Sequence, residues 1–321
     1  MVRSSAARLI TVLVYTKELN NLRLPFARRG HRIGRRALFY GTRHPLTHML
    51  TRLIPSTQQP LPVIGLGTWQ TFDTSNKAAY PPLQQTLETL HAGGGTVIDS
   101  SPMYGRSEEV IGNLTAQSAA RDEFFYATKV WTQGRQAGIQ QMEASLRNMQ
   151  RTSLDLIQVH NLVDWKTHLT TLREWQAAGK VKYLGITHYT DGMHAELARL
   201  LTTERVDFVQ FNYSILDRHA EQRLLPTAAE HGVATLINRP FTEGNLLSRV
   251  QGKPLPEWAN ELGISSWPQF LLKFIISHPA VTCVIPGTRD PQHLADNLKA
   301  GAGELPDEAT REKMAAFVRS L

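Results

Sequence analysis

The chain has 321 residues, 41% hydrophobic and 20% charged, with a formal net charge of +7 and one cysteine, Cys283. That length can enclose one large core, and a lone cysteine in an apolar run excludes a disulfide framework or a cysteine-based metal site. The charge is lopsided: residues 1–58 hold eleven Lys or Arg and one acid, Glu18, leaving 24 basic and 27 acidic residues, a net of −3, beyond them. The body therefore presents no composition for binding nucleic acid, and it lacks the run of about 18 apolar residues that a membrane span requires.

Residues 1–58 read as a basic, poorly ordered extension preceding a body at 59–321. The stretch ARRGHRIGRRALFYGTRH has four competing explanations: a presequence, a degenerate twin-arginine export signal, a nucleic-acid or membrane arm, or residues upstream of a true start at Met49. The last is preferred, with a cytoplasmic location.

From residue 60 onward, short apolar runs alternate with helical periodicity. The runs are PVIGLG (62–67), TVIDS (96–100), FFYATKV (124–130), LDLIQVH (154–160), VKYLGIT (181–187), DFVQFN (207–212), VATLINRP (233–240) and VTCVIPG (281–287). Between most of them lie amphipathic segments such as LQQTLETLHAG and IQQMEASLRNMQ. Eight βα units with continuously apolar strands predict a single-domain (β/α)8 TIM barrel of α/β class. GLGTWQ after the first strand lacks the third glycine of a dinucleotide-binding open sheet. Residues 241–263 lengthen the seventh connection and are a lid candidate. Ser266 to Gln269 resembles a capping box, and 305–321 an added C-terminal helix.

The strand ends carry the chemistry. Asp99 stands at the carboxyl end of the second strand, with Tyr104 in the loop beyond it; the third strand presents Lys129 inside ATKVW and the fourth His160. A barrel gathers these ends at one mouth. A lysine beside a phenol favours the phenolate and lowers the tyrosine pKa, and an aspartate orients that lysine. Such a tyrosine exchanges protons with a substrate oxygen, while a histidine positions that oxygen. Carbonyl reduction needs a hydride, which no side chain supplies, so a nicotinamide cofactor is implied.

In VIGLGTW, IDSSPMYGRSE, YATKV, IQVHN, YLGIT, VQFNYS and VIPGTRDPQHLADN, the chain resembles the aldo/keto reductases over about residues 60–305. The resemblance implies an NADPH-preferring oxidoreductase, NADH being the lesser choice, with Asp99, Tyr104, Lys129 and His160 as its catalytic group. It places the nicotinamide amide against Thr187, His188 and Gln210, with His188 standing where many members have Asn. Asn238 replaces the tyrosine that stacks on the nicotinamide in many members, leaving Tyr213 or Phe241 as substitutes. Arg239 and Arg218 are candidate pyrophosphate partners. Thr288, Arg289 and Asn297 are candidates for the adenosine 2′-phosphate and adenine, although Gly287 and His293 stand where some relatives carry Lys and Arg. Trp69 and Trp131, with Met103 near them, are expected to wall a site for a small, partly apolar aldehyde or ketone. The expected assembly is a monomer without nucleic-acid partners and without a bound metal. Two rivals are a cofactor-binding regulatory or channel-associated subunit with little turnover, and a metal-dependent barrel hydrolase using Asp99, His160 and His188.

Overall fold

The computed structural model describes residues 48–321, so the arginine-rich tract and its four explanations lie outside the described residues. The described residues begin with an antiparallel hairpin of β1 (Thr51–Ile54) and β2 (Gln59–Pro62). There follow β3 (Leu66–Gly67), α1 (Tyr80–Ala92), β4 (Val97–Asp99), α2 (Ser107–Thr115), β5 (Phe125–Val130) and α3 (Arg135–Asn148). Next come β6 (Leu154–His160), α4 (Trp165–Ala177), β7 (Val181–Thr187), α5 (His194–Thr203), β8 (Phe208–Asn212) and α6 (Leu224–Glu230). The order ends with β9 (Ala234–Asn238), α7 (Asn245–Val250), α8 (Trp267–Ile276), β10 (Cys283–Val284), α9 (Pro291–Lys299) and α10 (Glu308–Ser320).

Each of the eight apolar runs contains one of β3 to β10, and these pair in parallel in strict chain order. Parallel bridges Ile64 to Val284 and Gly67 to Gly287 join the first strand region to the last. Gly65 N–H donates to Val284 O at 2.9 Å, and Val284 N–H to Val63 O at 2.9 Å. The sheet is thus a (β/α)8 barrel, as the repeat of strand and helix predicts.

Side chains alternate inward and outward along each strand. The inward set at the amino half is apolar: Val97, Phe125, Leu156, Tyr183, Phe208, Ala234, Cys283 and Ile285 pack as one cluster. Phe125 and Tyr183 stack at 5.9 Å, and Tyr183 meets Phe208 edge-on at 5.5 Å. The hairpin closes this end, adding Ile54 and Leu61 to the same cluster. The buried Tyr183 hydroxyl finds its partners there, Thr57 Oγ1 at 2.6 Å and Gln59 Oε1 at 2.9 Å. A filled lower half leaves only the carboxyl half of the barrel for polar chemistry.

The hairpin is fastened to the far end of the chain. Leu50 N–H donates to Gly301 O at 2.7 Å. The Arg52 guanidinium donates to the carbonyls of Ile276 at 2.7 Å, His278 at 2.5 Å and Pro279 at 3.0 Å, and to that of Val281. It thereby satisfies the last carbonyl of α8, which the helix cannot satisfy internally, and three carbonyls of the loop that follows. Arg52→Met should cost about 2–4 kcal/mol, since several charge-assisted hydrogen bonds vanish together. Urea denaturation followed by far-UV circular dichroism would show this as a lowered midpoint.

Residues 241–263 are not a free flap. Trp258 packs on Phe270 at 5.7 Å and on Phe317 at 6.3 Å, and Trp267 Nε1 donates to Lys253 O at 2.8 Å. The carboxyl part of the lid candidate is therefore seated on α8 and α10. Backbone strain lies at the start of this segment and after β6. Asn161, Leu162 and Asp164 after β6, and Arg239, Thr242 and Glu243 after β9, all have φ between 45° and 56°. Left-handed backbone at non-glycine residues persists only where surroundings enforce it, and it concentrates at ligand-binding loops.

Candidate active site

Asp99 ends β4 and Lys129 lies near the end of β5, both pointing inward above the aromatic layer. Lys129 is fully buried, and its Nζ donates to Asp99 Oδ2 at 2.7 Å and to Ser100 O at 2.7 Å. Burial alone would lower the lysine pKa, but the charge of Asp99 and the hydrogen bond to it weigh against this and hold Lys129 above its ordinary value. The ammonium therefore stays charged inside the barrel.

Asp99 is held from three sides. Gln210 Nε2 donates to its Oδ1 at 3.0 Å and Gln158 Nε2 approaches the same oxygen at 3.5 Å. Lys129 aligns with Gln158 across β5 and β6, and His160, Thr187 and Gln210 align across β6, β7 and β8. Strand register thus puts these polar groups in adjacent inward rows, where sequence distance is irrelevant.

Tyr104 sits in the tight turn after β4, its N–H donating to Ser101 O at 3.0 Å. Gly105 follows at φ 59°, and a Cβ there would meet the Asp73 carboxylate at 2.3 Å. Asp73 accepts from Arg106 N–H at 2.9 Å and so fixes the turn from the β3 loop. The Lys129 ammonium lies 5.0 Å from the Tyr104 ring centroid, and the His160 ring meets that ring edge-on at 6.0 Å. Burial raises the phenol pKa, Lys129 offsets this only in part, and the net shift is upward. This reverses the direction expected from a neighbouring lysine alone: desolvation wins, and the phenol keeps its proton at neutral pH.

His160 is buried at the end of β6, with Nδ1 3.1 Å from Ser101 Oγ. Burial, then the charge of Lys129, lower its pKa to about 3, so the ring is neutral. Trp131 lies beyond it, ring centroids 6.3 Å apart. Gln141 of α3 pins the Trp131 backbone, accepting its N–H at 2.6 Å and donating to its carbonyl at 3.2 Å. Trp69 and Trp131 are 43% and 42% exposed. Among the described residues, five of the six exposed large hydrophobic side chains are Trp69, Met103, Trp131, Tyr189 and Leu216, all in loops at this mouth.

The residues expected to meet a cofactor divide. Thr187 Oγ1 donates to Gln210 Oε1 at 3.1 Å, so both ends of the Gln210 amide are engaged within the protein. His188 Nδ1 accepts from Tyr189 N–H at 3.0 Å and Thr190 N–H at 3.3 Å. A ring nitrogen that accepts carries no proton, so Nε2–H is the free donor. Arg239 pairs with Glu243 at 2.9 Å and donates to Tyr189 O at 3.1 Å. Arg218 is engaged by Glu221 at 2.6 Å and by Glu312, which removes it from the pyrophosphate candidates. Tyr213 is buried against Glu221 and receives Arg311 Nη2–H at 2.6 Å, so it offers no stacking face.

At α9, Thr288 Oγ1 accepts from Asp290 N–H at 3.1 Å, Asn297 is buried and Arg289 is exposed. Asp290 caps the helix, accepting from Gln292 N–H at 2.7 Å and His293 N–H at 3.4 Å. The free donors expected at this helix start are therefore partly taken by the protein's own carboxylate.

Several buried polar atoms at the mouth lack protein partners: Ser100 Oγ, Gln158 Oε1, Asn161 Oδ1 and Asn238 Oδ1. Asn161 follows β6 and Asn238 ends β9, bracketing β7 and β8, which carry Thr187 and Gln210, with His188 just beyond β7. Unmet amide oxygens beside a free imidazole donor suit a carboxamide, which both donates and accepts. A nicotinamide group fits these residues. A divalent cation does not fit Asp99, whose oxygens are already bound by Lys129 and Gln210. Among the described residues, no three His, Cys, Asp or Glu side chains converge as a metal site.

Serine 101, Gln158, Asp73 and Gln141 went unread in the sequence because each acts through a contact tens of residues away or across a loop. A cleft of about 440 Å³ adjoins the mouth between the β8 and β9 loops, lined by Leu216, Asp217, Thr242, Asn245, Leu246 and Arg249.

Comparison with known proteins agrees with the geometry. The chain is 27% identical over 256 residues to the methylglyoxal reductase YeaE of Escherichia coli (strain K12), covering 76% of this chain and 87% of that protein. It is 27% identical over 205 residues to the aldo-keto reductase YhdN of Bacillus subtilis (strain 168), 58% of this chain but only 60% of that relative's length. An aldo/keto reductase from Klebsiella pneumoniae, solved in complex with NADP and acetate, superposes with a TM-score of 0.71 at 25% identity, covering 83% of this chain and 94% of that one. The model of the aldo/keto reductase family matches residues 63–315, a span that includes every barrel strand and all four convergent ionisable residues, and the chain belongs to that family.

Proposed function

We propose that the protein reduces small aldehydes or ketones with a partly apolar body, using NADPH. The observation that carries this reading is the buried Lys129–Asp99 pair set beneath the Tyr104 ring, with a neutral His160 at its edge. A bound nicotinamide dinucleotide supplies the hydride. Tyr104, protonated at neutral pH, donates its proton to the oxygen of the substrate carbonyl as negative charge develops there. Lys129 stabilises the phenolate left behind, and Asp99 keeps the ammonium in place. His160 orients the carbonyl oxygen. Trp69 and Trp131 favour an apolar substituent, and relatives named methylglyoxal reductases support a small dicarbonyl as the first compound to try.

His188 is proposed to hold the nicotinamide amide with Thr187 and Gln210 supporting that end, Arg239 the pyrophosphate, and Thr288, Arg289 and Asn297 the adenosine end. Among the described residues the Arg289 side chain has no ion-pair partner, whereas Asp290 beside it opposes a phosphate. Arg289→Ala should raise the KM for NADPH about tenfold while changing that for NADH less than about twofold, because a charge-assisted contact to phosphate is lost. Steady-state assays with both cofactors measure this, and equal shifts would remove Arg289 from the 2′-phosphate. The reading as a whole is tested by cofactor oxidation with methylglyoxal and a series of apolar aldehydes. No turnover above background with any of them would reject it.

A further inference from the structure

We infer that Ser101 is a positioning residue that fixes the tautomer of His160, so that Nε2–H points its proton at the substrate oxygen. The inference rests on the carbonyl-reductase reading for its consequence, but the hydrogen-bond assignment stands on contacts alone. Ser101 is fully buried, two residues beyond β4, and its Oγ lies 3.1 Å from His160 Nδ1. The same oxygen receives the Met103 N–H at 3.3 Å. A hydroxyl carries one proton, and with Met103 donating inward, that proton is free to be donated to His160 Nδ1. An accepting Nδ1 leaves the ring proton on Nε2.

The opposite arrangement, with Nδ1–H donating to Ser101, would turn the Nε2 lone pair towards the lone pairs of a carbonyl. That is repulsive where the reaction needs a donor. The ring cannot escape by protonating both nitrogens, since it is buried and close to the charged Lys129. The Ser101 carbonyl also accepts the Tyr104 N–H at 3.0 Å, so one residue ties the proton donor to the group that orients the acceptor. Ser101 itself touches no reacting atom.

The experiment is long-range ¹H–¹⁵N NMR of the histidine rings in the full chain without cofactor, for wild type and Ser101→Ala. His160 in the wild type is expected to show an unprotonated Nδ1 and a protonated Nε2, and Ser101→Ala to show mixed tautomers. With the best aldehyde, the variant's kcat/KM should fall about five- to tenfold, the size of one hydrogen bond, through kcat, while NADPH binding stays within about twofold. A wild-type ring protonated on Nδ1 overturns the inference, as does a variant that keeps the wild-type tautomer and rate. Because the wild-type spectrum requires no variant, a misfolded Ser101→Ala leaves the assignment open to refutation. Absence of carbonyl turnover together with the Nε2–H tautomer rejects the function reading and supports the hydrogen-bond assignment.

Discussion

Tyr104→Phe is expected to lower kcat for carbonyl reduction by roughly 10²–10⁴, the usual scale for general acid catalysis. The substitution keeps the ring over Lys129 and its edge contact with His160, and removes only the ionisable hydroxyl. Cofactor affinity should stay within about twofold, so the loss falls on the chemical step. The upward shift of the phenol pKa adds a sign that can be checked. A protonated Tyr104 is ready to donate at neutral pH, so reduction needs no deprotonation. Alcohol oxidation draws on the phenolate, and its kcat should climb with pH across the neutral and alkaline range. Stopped-flow cofactor fluorescence in both directions separates these steps. A variant retaining wild-type single-turnover rates would dismiss the hydroxyl as proton donor.

Lys129→Met should be at least as damaging, and in two ways. Activity should fall by roughly 10³ or more, because the phenolate loses its cationic neighbour in a water-poor site. Stability should fall by about 3–5 kcal/mol, the cost of leaving one partner of a buried ion pair uncompensated. The second effect belongs to Asp99, which is almost completely enclosed with its Oδ2 then unpaired. Lys129→Met with Asp99→Asn removes both charges and should restore much of the stability while leaving turnover abolished. Chemical denaturation of the two variants beside the wild type reads this directly. If the double variant were no more stable than the single one, the buried pair would not be the source of the loss.

The barrel was legible because parallel strands covered by helices are written as apolar runs, and all eight runs hold a strand. Asp99 and His160 were legible for a related reason, since TVIDS and LIQVH are apolar strands that stop on a polar residue, and Lys129 because it interrupts the apolar run FFYATKV near its end. The hairpin left no such trace. TRLI is only four residues long and does not alternate cleanly, and two of the four residues in QPLP are proline. Pairing with each other and with the barrel floor makes them strands. Tyr213 was misjudged as a possible cofactor contact because sequence adjacency to β8 says nothing about Arg311, which reaches it from α10. The direction of the Tyr104 shift also depended on three dimensions, since a nearby lysine is readable in the sequence and desolvation is not.

The bond between the hairpin and the end of the chain governs when this protein can become whole. Arg52 and the carbonyl of His278 are 226 residues apart in sequence, and Leu50 waits for Gly301. Until those distant residues leave the ribosome, the floor of the barrel has no clasp and β3 has no neighbour on its open side. Synthesis must pass β10 and Gly301 before closure, with the growing chain exposing a parallel sheet edge at β3 until β10 is made. Paying loop-closure entropy so late makes the final pairing slow relative to the local βα units that precede it. The emerging chain therefore carries that edge unpaired from the making of β3 until β10 follows it.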